Sequence, residues 1–378
     1  MSQPYRDDPR SASNPLFNEN RLKLGIFGIN GPGVAMTKVA EAFVPTWANS
    51  RAIAEEADKA GFETIVPYAR WRPFAGDDHP SGRTFETYNW AAALSALTSR
   101  SCVMSTSHVP TIHPLVAAKQ AATIDHISGG RFAINIVCGW YTPEIEMFGA
   151  DIRTHTDRYG HADEWITVMK RLWTEGDAFD FDGKFVQLRK AVSNPKPLQQ
   201  PHPALMNAGG SDAGQLFAAK HADIAFILVR SPRPEDIKAQ VDAYRDLARR
   251  EFGRNIQIWV HAYVVQRDSI SDALAYVDHY ADIYGDHEVA NEFLKHQLVG
   301  AQTVPPEILS KMRQSFMAGA GGVPLLGTPT DIVAAMSGLS ACGIDGILLT
   351  WVDYAEGLPR FVREVLPLIE QAGLRQSL

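Results

Sequence analysis

Short continuous apolar runs alternate with longer stretches in which apolar residues recur every third or fourth position, and this alternation persists for most of the chain. Short runs of this kind read as strands covered on both faces, and the longer periodic stretches as helices laid against them. The runs at 22–29, 62–68, 102–108, 132–137, 204–208, 223–229, 256–265 and 346–352 predict eight strands. Helices are predicted over 47–60, 85–98, 115–127, 155–173 and 234–252, with further ones opening at Ser211 and at Thr328. The last start is well marked, with Thr328 as N-cap, Pro329 at the first helical position and Asp331 in the first turn. Residues 179–188, around an Asp182-Gly183 turn, read as an excursion from the alternation.

Eight strand–helix units in a chain of 378 residues match an α/β fold of the (β/α)8 TIM barrel type with insertions, forming one domain over 21–378. A doubly wound sheet is the competing architecture. It would carry a glycine fingerprint in its first turn, and Gly28-Ile29-Asn30-Gly31-Pro32-Gly33 does not fit one. Pro32 also removes a backbone donor where a phosphate would need it. The segment is read instead as a mobile loop over the barrel mouth. The largest insertion, about 280–326, falls between the last two strands and suits either a lid or a solvated subunit contact. Residues 1–20 are polar and proline-containing, with no apolar run after a basic start; they read as a mobile arm rather than a signal peptide.

Composition narrows the class. Apolar residues make up 45% and charged residues 21%, values of a soluble globular protein. A net charge of −7 implies no basic face for nucleic acid, and no apolar run is long enough to span a membrane. Cys102, Cys138 and Cys342 lie far apart, which fits a reducing cytoplasm without a disulfide framework. The 12 histidines lack the paired spacing of a metal site.

In a barrel of this kind the site is built from the carboxyl ends of strands and the loops after them, here 66–72, 106–113, 135–144, 208–211 and 350–354. These segments supply apolar walls, aromatic plates, neutral hydrogen-bonding groups and one or two arginines. They supply no carboxylate pair, no Ser–His–acid set and no metal ligands. Such a set suits a large planar cofactor that brings its own reactivity. Asn135 is the one polar side chain in an apolar strand; taken alone, it is either a ligand contact or a core asparagine held by a loop carbonyl. Ala208-Gly209-Gly210-Ser211-Asp212 offers an anion site at a helix amino end, or else a plain serine cap after a glycine turn. Arg158 and Tyr159 could add a cation and a hydroxyl there. His108 and His113 are candidates for proton transfer near the mouth, and Arg70-Trp71-Arg72 for clamping an anionic or aromatic ligand.

The stretch ATIDHISGGRFAINIVCGWYTPEIEMFG (122–149), taken with NPKPLQQPHP (194–203), NAGGSDAG (207–214), LLGTP (325–329) and GILLTW (346–351), resembles the bacterial luciferase-like flavin-dependent monooxygenases. Within that family the resemblance is to enzymes that open pyrimidine rings or act on dimethylsulfone and alkanesulfonates. It covers about 22–373. It implies a (β/α)8 barrel that uses reduced FMN (FMNH2) from a separate NAD(P)H-dependent flavin reductase, with molecular oxygen and a small-molecule substrate, as a homodimer or homotetramer. Carried over position by position, flavin contacts fall on Ala69, Arg70, Asn135, Glu144, Arg158, Tyr159 and Ser211, with Gly209 and Gly210 beside the phosphate. Arg70 stands where the pyrimidine enzymes have lysine. An oxygen pocket maps to Val66, Thr106, Asn135 and Trp140, a set that resembles members forming a flavin N5-peroxide rather than a C4a adduct. The segments 70–82 and 106–114 differ from the pyrimidine enzymes in most side chains, which turns attention from uracil to other substrates and makes Trp71, His108 and His113 the substrate-side candidates. The implied reaction is oxygenation with cleavage of a C–N, C–S or C–halogen bond in a nitrogen heterocycle, amide or sulfone-like compound. A deazaflavin-dependent dehydrogenase of the same fold and a non-catalytic flavin-binding protein are the alternatives.

Overall fold

The computed structural model describes residues 8–150, 153–297 and 306–377, so that residues 1–7 of the expected arm and 298–305 of the expected lid lie outside it. The strands are β1 (Lys23–Phe27), β2 (Thr64–Val66), β3 (Cys102–His108), β4 (Phe132–Val137), β5 (Phe179–Asp182), β6 (Gln187–Ala191), β7 (Ala204–Asn207), β8 (Ile224–Ile227), β9 (Gln257–Gln266), β10 (Val323–Gly327) and β11 (Gly346–Thr350). Parallel pairing runs β1-β2-β3-β4-β7-β8-β9-β11 and returns to β1, which closes an eight-stranded barrel. The eight barrel strands are those the apolar runs predict. β5 and β6 form a separate antiparallel pair, the excursion between β4 and β7.

Period-two alternation along each strand divides the core in two. Inward side chains such as Cys102, Met104, Ala133, Met206, Trp259 and Leu348 fill the barrel. Outward ones such as Leu24, Ile26, Val103, Ile134 and Leu349 pack under the surrounding helices. Helix Pro329–Ala341 begins as expected, with a full capping box between Thr328 and Asp331.

Two segments differ from expectation. From Asp8 onward the stretch expected as a mobile arm is packed against the amino ends of the strands. Leu16 and Phe17 enter the barrel interior cluster, and the Leu16 carbonyl accepts from Gln257 Nε2 at 2.7 Å. The Arg10 guanidinium bonds Asp223 through two nitrogens, each at 3.0 Å. Burial alone would raise the Asp223 carboxyl, but Arg10 overrides it and holds it down at about 2. Polarity along 8–20 suggested solvent; the polar groups instead find buried partners. The second difference lies in the insertion. After helix Ile270–Val277, it contains helices His287–Gln297 and Pro306–Gly319 and then ends in β10, which pairs with the part of β9 beyond its contact with β8. Pro324 in so short a run argues against a strand when read locally; only the overhanging ladder of β9 gives it partners.

The Gly28–Gly33 loop, expected to be mobile, is tied down at the mouth by Asn30. That side chain is fully buried, donates to the Tyr68 and Phe85 carbonyls at 2.8 and 3.2 Å, and accepts from Tyr68 N at 3.1 Å. No helix among the described residues is long and apolar enough to cross a membrane.

Candidate active site

Register brings the first pair together. Thr106 of β3 is the direct partner of Asn135 of β4, and both face inward near the carboxyl ends of their strands. Asn135 Nδ2 donates to Thr106 Oγ1 at 3.2 Å, and Thr106 donates to the Pro67 carbonyl at 2.5 Å. Thr106 therefore has only lone pairs to offer Asn135, which sets the amide's orientation. The Asn135 carbonyl oxygen is buried and without a hydrogen-bond partner among the described residues. A ligand group completing it must be a donor. Val66 is fully buried among the apolar residues of the barrel interior, one residue from Pro67.

A second cluster surrounds Glu144, which is 2% exposed. Its carboxylate accepts the Trp71 backbone N–H at 2.8 Å and lies 3.6 Å from both the Arg70 guanidinium and His108 Nδ1. Burial raises the Glu144 carboxyl, with Arg70 and the loop amides opposing the rise. Burial and the neighbouring Arg70 push His108 down to about 4, so its imidazole is neutral at physiological pH. The 3.6 Å separation is too long for a hydrogen bond, and His108 Nδ1 remains without a partner among the described residues. Arg70 also lies over the Phe74 ring at 3.7 Å and faces Trp140 and Tyr141 at 5.7 and 5.6 Å. Trp140 completes an aromatic group with Phe74 and Phe293, which joins this loop to helix His287–Gln297 of the insertion.

The third cluster is the glycine turn after β7. Ser211 caps helix Asp212–His221 by accepting from Gly214 N, and its hydroxyl also meets His155 Nε2 at 3.1 Å. The Tyr159 hydroxyl lies so close that a Cβ added at Gly209 or Gly214 would come within 2.8 or 2.6 Å of it. Gly210 faces open space. The turn is braced from the protein side: Gly209 N donates to Asn207 Oδ1 at 3.0 Å, Tyr244 OH to the Gly209 carbonyl at 3.1 Å, and Arg230 to the Gly210 carbonyl at 2.7 Å. Arg158 donates to the Gly139 carbonyl at 2.6 Å while its Nε has no partner among the described residues. Backbone N–H groups, a hydroxyl and the Arg230 cation at a helix amino end suit a phosphate monoester.

Of the substrate-side candidates, His113 stands apart from these clusters. His113 is exposed and caps helix Pro114–Ser128, its Nδ1 accepting from Leu115 N at 3.2 Å; local geometry at an N-cap uses the ring that the sequence suggested for chemistry. Trp71 is 42% exposed and packs edge-on against Phe148, and both border a cavity beside Ala69, Arg70 and Thr106. Arg230, Tyr244 and His155 are missing from the sequence-based set. Arg230 follows β8 almost directly, so its strand-end position was the available signal; Tyr244 and His155 sit on helices and carried none.

Above the mouth, a cavity of about 650 Å³ lies between the loops after β1 and β2 and the insertion. Asp286, 4% exposed, stands at its edge and joins all three: its N–H donates to the Met36 carbonyl at 2.8 Å, and its carboxylate meets His79 Nε2 at 2.9 Å and Lys38 Nζ at 3.3 Å.

A family model described as luciferase-like monooxygenase matches residues 22–346. The FMNH(2)-dependent dimethylsulfone monooxygenase of Pseudomonas putida is 33% identical over 330 residues, spanning 85% of this chain and 88% of its own. Pyrimidine monooxygenase RutA of Cronobacter turicensis is 29% identical over 357 residues, 92% of each chain. Among solved structures, the long-chain alkane monooxygenase LadA superposes with a TM-score of 0.81 at 20% identity, over 94% of this chain and 92% of its own, a likeness of fold.

Proposed function

The chain belongs to the luciferase-like monooxygenase family, and on that premise we propose that it is the oxygenase half of a two-component system, using reduced FMN from a separate flavin reductase to oxygenate a small molecule and cleave a C–N, C–S or C–halogen bond in it. The residues present fit that cofactor. Its phosphate would be held by the 209–211 turn, the Ser211 and Tyr159 hydroxyls and the Arg158 cation. Its ring would be held by Ala69, Arg70 and Asn135, with Glu144 keeping the 69–72 loop in place. When bound, reduced FMN supplies the two electrons with which one atom of O₂ enters the substrate and the other leaves as water.

The protein's own part is preorganisation. Thr106, its proton committed to Pro67, turns the Asn135 amide so that the carbonyl accepts from a ligand donor and the second N–H of Nδ2 is available to a developing oxygen charge. Val66 and the apolar barrel interior exclude water from one side, and the aromatic group of Trp140, Phe74 and Phe293 would cover the other. Burial holds the Tyr159 phenol protonated, as a donor.

The observation that carries this reading is the bare carbonyl oxygen of Asn135, a buried polar atom that a structural asparagine would have paired. The experiment is anaerobic titration with reduced FMN, followed by an oxygen pulse under rapid-scan absorbance with a panel of heterocycles, sulfones and sulfonates. Stoichiometric flavin binding and substrate-dependent oxygen consumption are expected. Absence of FMN binding overturns the proposal, and product formation without oxygen transfers it to the deazaflavin-type dehydrogenases.

A further inference from the structure

Beside the proposed flavin position, between the end of β3 and the helices Thr87–Leu97 and Pro114–Ser128, lies a separate cavity of about 340 Å³. Ala69, Arg70 and Thr106 belong to its wall, so it adjoins the flavin contacts directly. Five side chains along it carry a buried polar atom with no hydrogen-bond partner among the described residues: Arg70 Nε, Tyr88 OH, Ser107 Oγ, His108 Nδ1 and Gln120 Oε1. The Ser107 and Tyr88 hydroxyls lie beside one another without a well-formed hydrogen bond. Buried polar groups are ordinarily paired, and a concentration of unpaired ones around one cavity marks a place that a ligand completes.

The chemistry of the five selects the ligand. Gln120 offers an acceptor and Arg70 a donor, while the two hydroxyls and the neutral imidazole of His108 can serve as either. The charged groups on the wall are already engaged. Arg70 faces Glu144 at 3.6 Å, and the Glu86 carboxylate is committed to the Tyr88 and Asn89 backbone amides at 3.0 and 2.8 Å. An anionic ligand would therefore meet no free cation there.

We propose that this cavity is the recognition part of the substrate site and takes a compact neutral ring with a lactam or imide edge, in which C=O and N–H groups alternate. Tyr88, Ser107 and Gln120, with His108, read that edge. A sulfone offers acceptors only and leaves the Gln120 carbonyl unpaired; a sulfonate adds a charge that nothing balances. What becomes of the bound ring rests on the monooxygenase reading, whereas its binding does not.

The test is ligand-observed NMR titration of the full chain with succinimide, N-methylsuccinimide and dimethylsulfone, with FMN affinity followed separately by flavin fluorescence. Succinimide is expected to bind about tenfold more tightly than either other probe, because a site built to hydrogen-bond a donor rejects analogues that lack it. Ser107→Ala and Gln120→Leu should each weaken it by about fivefold or more at unchanged FMN affinity. Tyr88→Phe, which removes only the hydroxyl, repeats the measurement in a variant with an intact ring. Equal affinities for the three probes, or unaltered succinimide affinity in all three variants, overturns the proposal. Selective succinimide binding without FMN binding would instead overturn the monooxygenase reading alone.

Discussion

Asn135 and Thr106 are joined by a single hydrogen bond of 3.2 Å across neighbouring strands, and its direction is dictated by a third group, the Pro67 carbonyl that takes the threonine proton. The relay leaves the asparagine carbonyl turned away from the protein's own donors. Replacing Asn135 by alanine is expected to lower coupled product formation by about tenfold or more and to divert reduced flavin into hydrogen peroxide, since a preorganised polar group at a reacting centre is worth that much. Peroxide yield per NADH consumed in the reconstituted system measures it; unchanged coupling would remove Asn135 from the chemistry.

Gly214→Ala separates the phosphate cradle from ordinary helix propensity. Alanine normally stabilises a helix position. Here its Cβ would stand 2.6 Å from the Tyr159 hydroxyl and 2.7 Å from the Gly209 backbone. FMN affinity is expected to fall by roughly tenfold or more through displacement of those groups, as the loss of one or two charge-assisted hydrogen bonds would give. Equilibrium flavin binding reads the effect, and Gly338→Ala, at a helical glycine with open space around it, serves as control.

Glu144→Ala leaves Arg70 buried without its nearest carboxylate and the Trp71 N–H without its acceptor. The expected loss is about 3 kcal/mol of unfolding free energy, the cost of removing one partner of a buried pair. Glu144→Gln, which keeps an acceptor for Trp71, should lose less. Urea denaturation of the two variants checks the order.

Acid stability should reflect three buried histidines. Burial pushes His108 and His202 down to about 4 and His261 to about 3, from 6.5. The unfolded chain then binds more protons than the folded one below 6.5, so this contribution to stability is complete above 6.5 and is lost as pH falls toward 4. The melting temperature should fall across that window, and His202→Gln should flatten the slope by about one proton. A slope unaltered in the variant would contradict the assignment.

Asp286→Ala removes the carboxylate shared by His79 and Lys38 and so loosens the insertion from the loops after β1 and β2. Limited proteolysis should cut the 280s segment faster, and KM should rise with little change in kcat, as expected when a cover rather than a reacting group is disturbed.

Much of this site was legible from the residues. Asn135 stood out as the lone amide of an apolar strand, and the 208–212 turn as a serine cap behind two glycines, because both signals are local. His113 shows the limit of such reading: a histidine before proline at a helix start has a structural use as N-cap, through Nδ1, that a local pattern does not separate from a chemical one. The packing of residues 8–17 was hidden for a different reason. Polar residues read as solvated until Arg10 meets Asp223, 213 positions away.

The sequence by itself determined the eight barrel strands, their order along the chain and the helices between them, because hydrophobic period and capping are properties of neighbouring residues. Closure of the barrel, the amide orientation at Asn135, the three-way junction at Asp286 and the unpaired groups around Tyr88, Ser107 and Gln120 were decided only by the tertiary structure. Each depends on which side chains from distant segments arrive together, and on which of their hydrogen-bonding groups are left over once they have.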